Sequence, residues 1–224
     1  MHDSGGRQSL RLAVGAAIAG FAWAYLRHRH HPRRTILALT QAAEWFVACG
    51  GAATPLRTFD PAAPCTADGQ QPGAYPELEA LLPSTYEGAA PQSLDSGRTC
   101  SEPGLGVLAA SGIHEFRFAG ATWGLGGTTG LTVAVFEADG LDAGAMIDFY
   151  AAGARGNRKV EKAVASDVTA GAQPARRLDV LQSDGAYQTI VAWPGGIAGR
   201  VLVLLAADLG DARVAAAVEM FAAP

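Results

Sequence analysis

Residues 124–136, GLGGTTGLTVAVF, decide how the chain is to be read. The glycines invite a phosphate cradle, but such a loop needs Gly-Lys-Ser/Thr behind it, or a helix, and here a β-branched run follows instead. Upstream, Phe116 and Phe118 alternate with Arg117. The pattern predicts two antiparallel strands joined by a glycine-rich turn. Downstream, Asp142 is placed to cap a helix carrying Met146, Ile147, Phe149 and Tyr150.

The same order returns about 69 residues later. Ala186 to Trp193 reads as a strand, Pro194-Gly195-Gly196 as its turn, Val201 to Leu205 as the return strand, and Asp211 as the cap of a helix through Val214, Val218 and Phe221. Trp123 answers Trp193, Asp139 answers Asp208, and Asp142 answers Asp211, with a Trp-to-Asp spacing of 19 residues in one copy and 18 in the other. This predicts an internal β-β-α repeat with halves at about 114–156 and 184–224. Residues 160–182 supply two more strands, and Pro76 to Leu82 and Pro103 to Ala110 read as short helices. The expected fold is α+β: a two-layer sandwich in which an antiparallel sheet of about five to seven strands carries its helices on one face.

Composition limits the function. About half of the 224 residues are apolar and few are charged, so the chain is built to fold. Residues 1–48 carry a net charge of +4, which leaves −8 on the remainder. So acidic a domain lacks the clustered Lys and Arg that displace counterions from a phosphate backbone, and nucleic acid is excluded as a partner.

Two apolar stretches, Leu12 to Leu26 and Thr35 to Ala48, lie in that basic segment. Each is too short to span a bilayer comfortably and fits the apolar core of an export signal. The second ends in Phe46-Val47-Ala48-Cys49-Gly50-Gly51, which resembles the lipobox of bacterial lipoproteins. The resemblance covers about 20 residues and implies that Cys49 takes lipid and becomes the mature N-terminus, anchoring the chain to the outer face of the cytoplasmic membrane. The alternative is a buried helix ending in a free cysteine. Arg27 to Arg34, with His28, His30 and His31, reads as the basic start of the signal, and the residues before it as a first membrane segment or an upstream extension. On this reading residues 1–48 are a targeting segment, 49–74 a Gly/Pro/Ala-rich tether and 75–224 a single domain. If Cys49 is acylated, Cys65 and Cys100 remain as an even pair, which the resemblance implies are joined in an oxidising compartment. Zinc would lack ligands: there is no Cys-x-x-Cys pair, and His114 is the only histidine after Cys49.

Catalytic candidates are few. Ser111 and His114 are three residues apart but lack a nucleophile elbow. Glu137, Asp139 and Asp142 are close enough to suggest paired carboxylates or calcium, yet too few for a calcium loop, and capping accounts for Asp139 and Asp142. Trp123 and Trp193, each beside a turn, are the candidate ligand or partner surface if exposed, and core if buried. Arg155, Arg158 and Lys159 suit lipid headgroups or a solvated loop. The expectation is a non-enzymatic envelope lipoprotein domain that binds a partner or small ligand, without cofactor or metal. An envelope hydrolase and a lipid carrier are the alternatives.

Overall fold

The computed structural model describes residues 59–222. Eight strands form one sheet: β1 (Gly69–Gln71), β2 (Ser93–Thr99), β3 (Phe116–Gly126), β4 (Thr129–Glu137), β5 (Val160–Ala170), β6 (Gln173–Gln182), β7 (Tyr187–Pro194) and β8 (Arg200–Ala207). Their spatial order is β1-β2-β3-β4-β8-β7-β6-β5, and every pairing is antiparallel. The helices among the described residues are α1 (Pro76–Glu79), α2 (Glu102–Leu105), α3 (Val107–Ala110), α4 (Ala143–Gly156) and α5 (Asp211–Ala222). The fold is therefore α+β as expected, with eight strands rather than five to seven. The two strands missing from the sequence reading are β1 and β2. Neither shows apolar alternation, and the residues that β2 buries include Ser96, Arg98 and Thr99.

The helices do not share a face. Side chains in the central strands alternate between two apolar clusters. Trp123, Leu131, Val133, Val191, Trp193 and Leu204 pack with Val214, Ala217 and Val218 of α5. Phe116, Phe136, Leu178, Ile190, Val201 and Val203 pack with Met146, Ile147 and Tyr150 of α4. The segment from Ala74 to Tyr86 covers the first face together with α5, and Leu105 and Leu108 cover the second together with α4.

This arrangement corrects both the one-faced layering and the symmetry expected of the repeat. A two-fold rotation exchanging antiparallel β4 and β8 has its axis perpendicular to the sheet and leaves each face in place. Trp123 and Trp193 satisfy it, since both lie in the α5 cluster, but α4 and α5 do not. The cause is the pleat. β4 ends at Glu137, on the side of Val133 and Val135, whereas β8 ends at Ala207, on the side of Val201 and Val203. One residue of phase inverts the face on which a strand releases its chain.

The helix starts differ accordingly. Asp142 caps α4, its carboxylate accepting from the amide of Ala145 at 2.8 Å. Asp211 does not cap α5. The carbonyl of Gly210 takes the first helical bonds, from the amides of Arg213 and Val214, and the Asp211 carboxylate accepts from Arg177 at 2.6 Å. At the other end of β8, Gly199 has a φ of 78° and its carbonyl accepts from the amide of Ala138 at 2.9 Å, closing the chain after β4.

Residues 59–74, within the tether expected over 49–74, are bonded to the sheet. β1 pairs with β2, and Arg98 reaches back to the carbonyls of Asp60, Pro61, Ala63 and Pro64 at 2.5–3.5 Å. Cys65 and Cys100 are disulfide-bonded with Cα atoms 6.2 Å apart. Asp68 binds the amides of Cys100 and Ser101, both at 2.8 Å. Cys49 and the targeting segment lie outside the described residues. Among the described residues no helix is long and apolar enough to cross a membrane.

Two substitutions test this account by denaturant unfolding. Asp142→Ala is expected to cost about 1 kcal/mol through loss of the cap. Gly199→Ala is expected to cost about 2 kcal/mol, because the added Cβ adopts a left-handed backbone and meets the Ala138 carbonyl at 2.5 Å. Wild-type stability in Gly199→Ala would refute the closure assigned to this turn.

Candidate functional site

Trp123 and Trp193 are 2 % and 0 % exposed, so neither is a surface platform, and that expectation is corrected. Their alternation within β3 and β7 points both indoles into the core beneath α5. Trp123 stacks on Phe221 with ring centroids 6.3 Å apart and donates its indole N–H to the carbonyl of Ala89 at 3.0 Å. Tyr86 closes the group, 6.2 Å from Trp123 and 5.8 Å from Phe221. The indole N–H of Trp193 and the hydroxyl of Tyr150 have no hydrogen-bond partner among the described residues. Burial pushes the Tyr150 phenol well above its ordinary pKa, so it stays neutral.

The acidic trio is separated. Glu137 faces Arg117 across β3 and Arg200 across β8. One carboxylate oxygen accepts from Arg117 at 2.5 Å and the other from two nitrogens of Arg200 at 2.8 and 3.0 Å. Burial raises the Glu137 pKa, but the hydrogen bonds and charges of Arg200 and Arg117 outweigh it and hold the carboxyl below its usual range. Asp142 is committed to its cap, and Asp139 is exposed. Glu137 is therefore a structural ion-pair centre joining three strands, with both oxygens already engaged.

A second centre was not foreseen. Arg177 and Asp179, two apart on β6, share a face with Thr189 on β7. Arg177 donates to both Asp179 oxygens at 2.9 and 3.0 Å and to Asp211 at 2.6 Å, and the Thr189 hydroxyl donates to Asp179 at 2.8 Å. Burial raises Asp179, and the bonds from Arg177, Tyr187 and Thr189 more than reverse it. The only available sequence signal was opposite charge at strand spacing, which names neither Thr189 nor Asp211. Asp95 has the opposite bias: burial and then the charge of Glu79 raise its pKa.

Ser111 and His114 are both exposed, and Ser111 ends α3 with its amide bonded to the carbonyl of Leu108 at 3.0 Å. No hydrogen bond joins the two side chains among the described residues. Arg155, Arg158 and Lys159 are exposed at and beyond the end of α4. No group of three or more His, Cys, Asp or Glu that could hold a metal occurs among the described residues. What the structure presents is a set of ion-pair clusters whose acceptors are engaged by the protein's own donors, around a core that takes in both tryptophans.

The carboxylates give a signed pH dependence. Glu137 and Asp179 release protons more readily folded than unfolded, so the stability they contribute is complete above about pH 5 and is lost as pH falls through their lowered folded values. Glu137→Gln and Asp179→Asn should therefore unfold more easily at pH 7, with the penalty shrinking in acid. Asp95→Asn should do the reverse. Its raised folded pKa means that the ionised form opposes folding, so the variant gains stability at pH 7 and loses that gain below the ordinary carboxylate range. Urea titrations at pH 7 and pH 3.5 distinguish the signs; a destabilised Asp95→Asn at pH 7 would overturn the assignment.

No protein-family model matches the chain, and no curated protein does either.

Proposed function

We propose that the chain is a lipid-anchored binding domain on the outer face of the cytoplasmic membrane, where it engages a protein or small-ligand partner without catalysis of its own. The observation that carries this reading is the Cys65–Cys100 bond. Structural disulfides persist in oxidising compartments, and pairing these two cysteines leaves Cys49, in its lipobox-like setting, as the odd thiol free for acylation. A bridge spanning 35 residues contributes roughly 3–4 kcal/mol, mainly by restricting the unfolded chain. It ties down the segment through which an anchor at Cys49 would pull on the domain.

Absence of catalysis is supported by the disposition of the polar groups. A general acid or base needs a free position facing substrate, whereas Glu137 and Asp179 accept from fixed arginines. The hydrolase reading needs His114 or Asp139, which are solvent-exposed. The lipid-carrier reading needs space between sheet and helix. The side chains of Val133, Val135, Leu204 and Trp193, beneath α5, are each nearly fully buried against their neighbours.

Intact mass of the protein extracted from membranes, with and without reductant, tests the proposal. The expected species begins at Cys49, carries two acyl chains and gains two hydrogens on reduction. A chain beginning upstream of Cys49, or lacking acyl groups, would overturn the anchor. A hydrolytic activity abolished by His114→Ala or Asp139→Asn would overturn the binding role.

A further inference from the structure

The two edges of the sheet are unequal. β1 is three residues long, whereas β5 runs for 11 residues and, among the described residues, pairs only with β6. Long open edges invite pairing, and proteins blunt them with charges and bulges. β5 has both devices at its beginning, where Glu161 and Lys162 sit beside a register shift between Val160 and Lys162. From Ala163 to Ala170 the protection stops. The one charge there is Asp167, which is paired with Arg176 of its own chain at 3.2 Å. Val164 is 45 % exposed in the middle of the strand.

We propose that β5 is a self-association edge, pairing antiparallel with β5 of a second copy about a two-fold axis at Ser166. A two-fold perpendicular to a sheet keeps each face in place, and directly opposed residues must share a face. Residue i can therefore oppose only residues of its own parity, and the axis must fall on a residue. Centring on Val164 would set Glu161 opposite Asp167, a like-charge pair. Centring on Ala165 would leave Val164 opposite Ser166. Centring on Ser166 sets Val164 opposite Val168 twice over and covers the exposed valine.

The same register supplies charge complementarity. Lys162 of one copy falls opposite Ala170 of the other, on the face that α5 covers. There the Glu219 carboxylate of α5 accepts from the amide of Gly171 at 3.3 Å, one residue beyond Ala170. Lys162 and Glu219 are both exposed. Two Lys162–Glu219 pairs thus flank two Val164–Val168 pairs, and two eight-stranded sheets become one continuous sheet of twice the width.

Sedimentation equilibrium of the detergent-extracted full chain tests the register by charge reversal. The wild type is expected to show concentration-dependent dimers. Lys162→Glu and Glu219→Lys are each expected to weaken association about tenfold, and the double reversal to recover most of the loss. Both positions are exposed, so thermal unfolding should change little. In a Cys49→Ser background, Ser166→Cys is expected to oxidise to a covalent dimer, and Ile197→Cys, exposed elsewhere, is not. The proposal fails if the protein stays monomeric throughout, if the double reversal gives no recovery, or if Val164→Cys cross-links in place of Ser166→Cys. A monomeric mass with the β5 amides protected by an unrelated polypeptide would equally overturn it.

Discussion

The architecture depends on one constraint: the four central strands are covered on both sides, so their interior is mostly apolar, and the pleat decides which core each apolar residue enters. Leu131 and Val133 go one way while Ala134 and Phe136 go the other. From that division the rest follows. Two cores need two covers, and α4 and α5 lie on opposite faces because β4 and β8 release the chain at opposite phases of the pleat. Small residues relieve the crowding where strands and covers meet; Ala119, Ala121, Ala192 and Ala217 are all essentially inaccessible.

This constraint was visible in the sequence in a form easily misread. A strand with one wet face alternates apolar and polar residues, whereas a strand covered on both faces is a continuous apolar run. Val133 to Phe136 and Val201 to Leu205 are continuous runs. The hairpins, their turns and the Asp142 cap were legible because each depends on residues within a few positions. The side taken by each helix was not, since it depends on the parity of a loop. β2 was illegible for another reason. Its buried polar residues bond to distant groups: Ser96 to Tyr75 and Glu79, and the two terminal nitrogens of Arg98 to carbonyls between residues 60 and 64.

Arg98 shows how the start of the described chain is held. Its side chain is buried at 7 % exposure, with carbonyl oxygens as its hydrogen-bond acceptors, and the Phe59 ring lies 5.5 Å from its guanidinium carbon. A buried cation needs compensation. Several peptide dipoles converging on one planar fork supply it and fix the path of the segment that provides them. The disulfide at Cys65 and the Asp68 bonds to residues 100–101 secure the next few positions. A Gly/Pro/Ala-rich composition read as a tether is thus ordered by contacts made from β2, and composition alone could not reveal them.

The candidate site residues follow the same logic. Aromatic residues beside turns are ambiguous in sequence because a strand end can be the rim of a core or an exposed platform. With both faces covered, Trp123 and Trp193 have only the interior to enter. Carboxylates close in sequence are likewise separated by pairing: register sets Glu137 between Arg117 and Arg200, and the helix start claims Asp142. The sheet thereby consumes the side chains that looked chemically suggestive. What it leaves open is main-chain hydrogen-bonding capacity along β5, since antiparallel pairing satisfies every strand on both sides except the two at the ends of the order. With Glu137 and Asp179 already engaged by arginines, the outermost backbone is the hydrogen-bonding capacity that the sheet leaves where it stops.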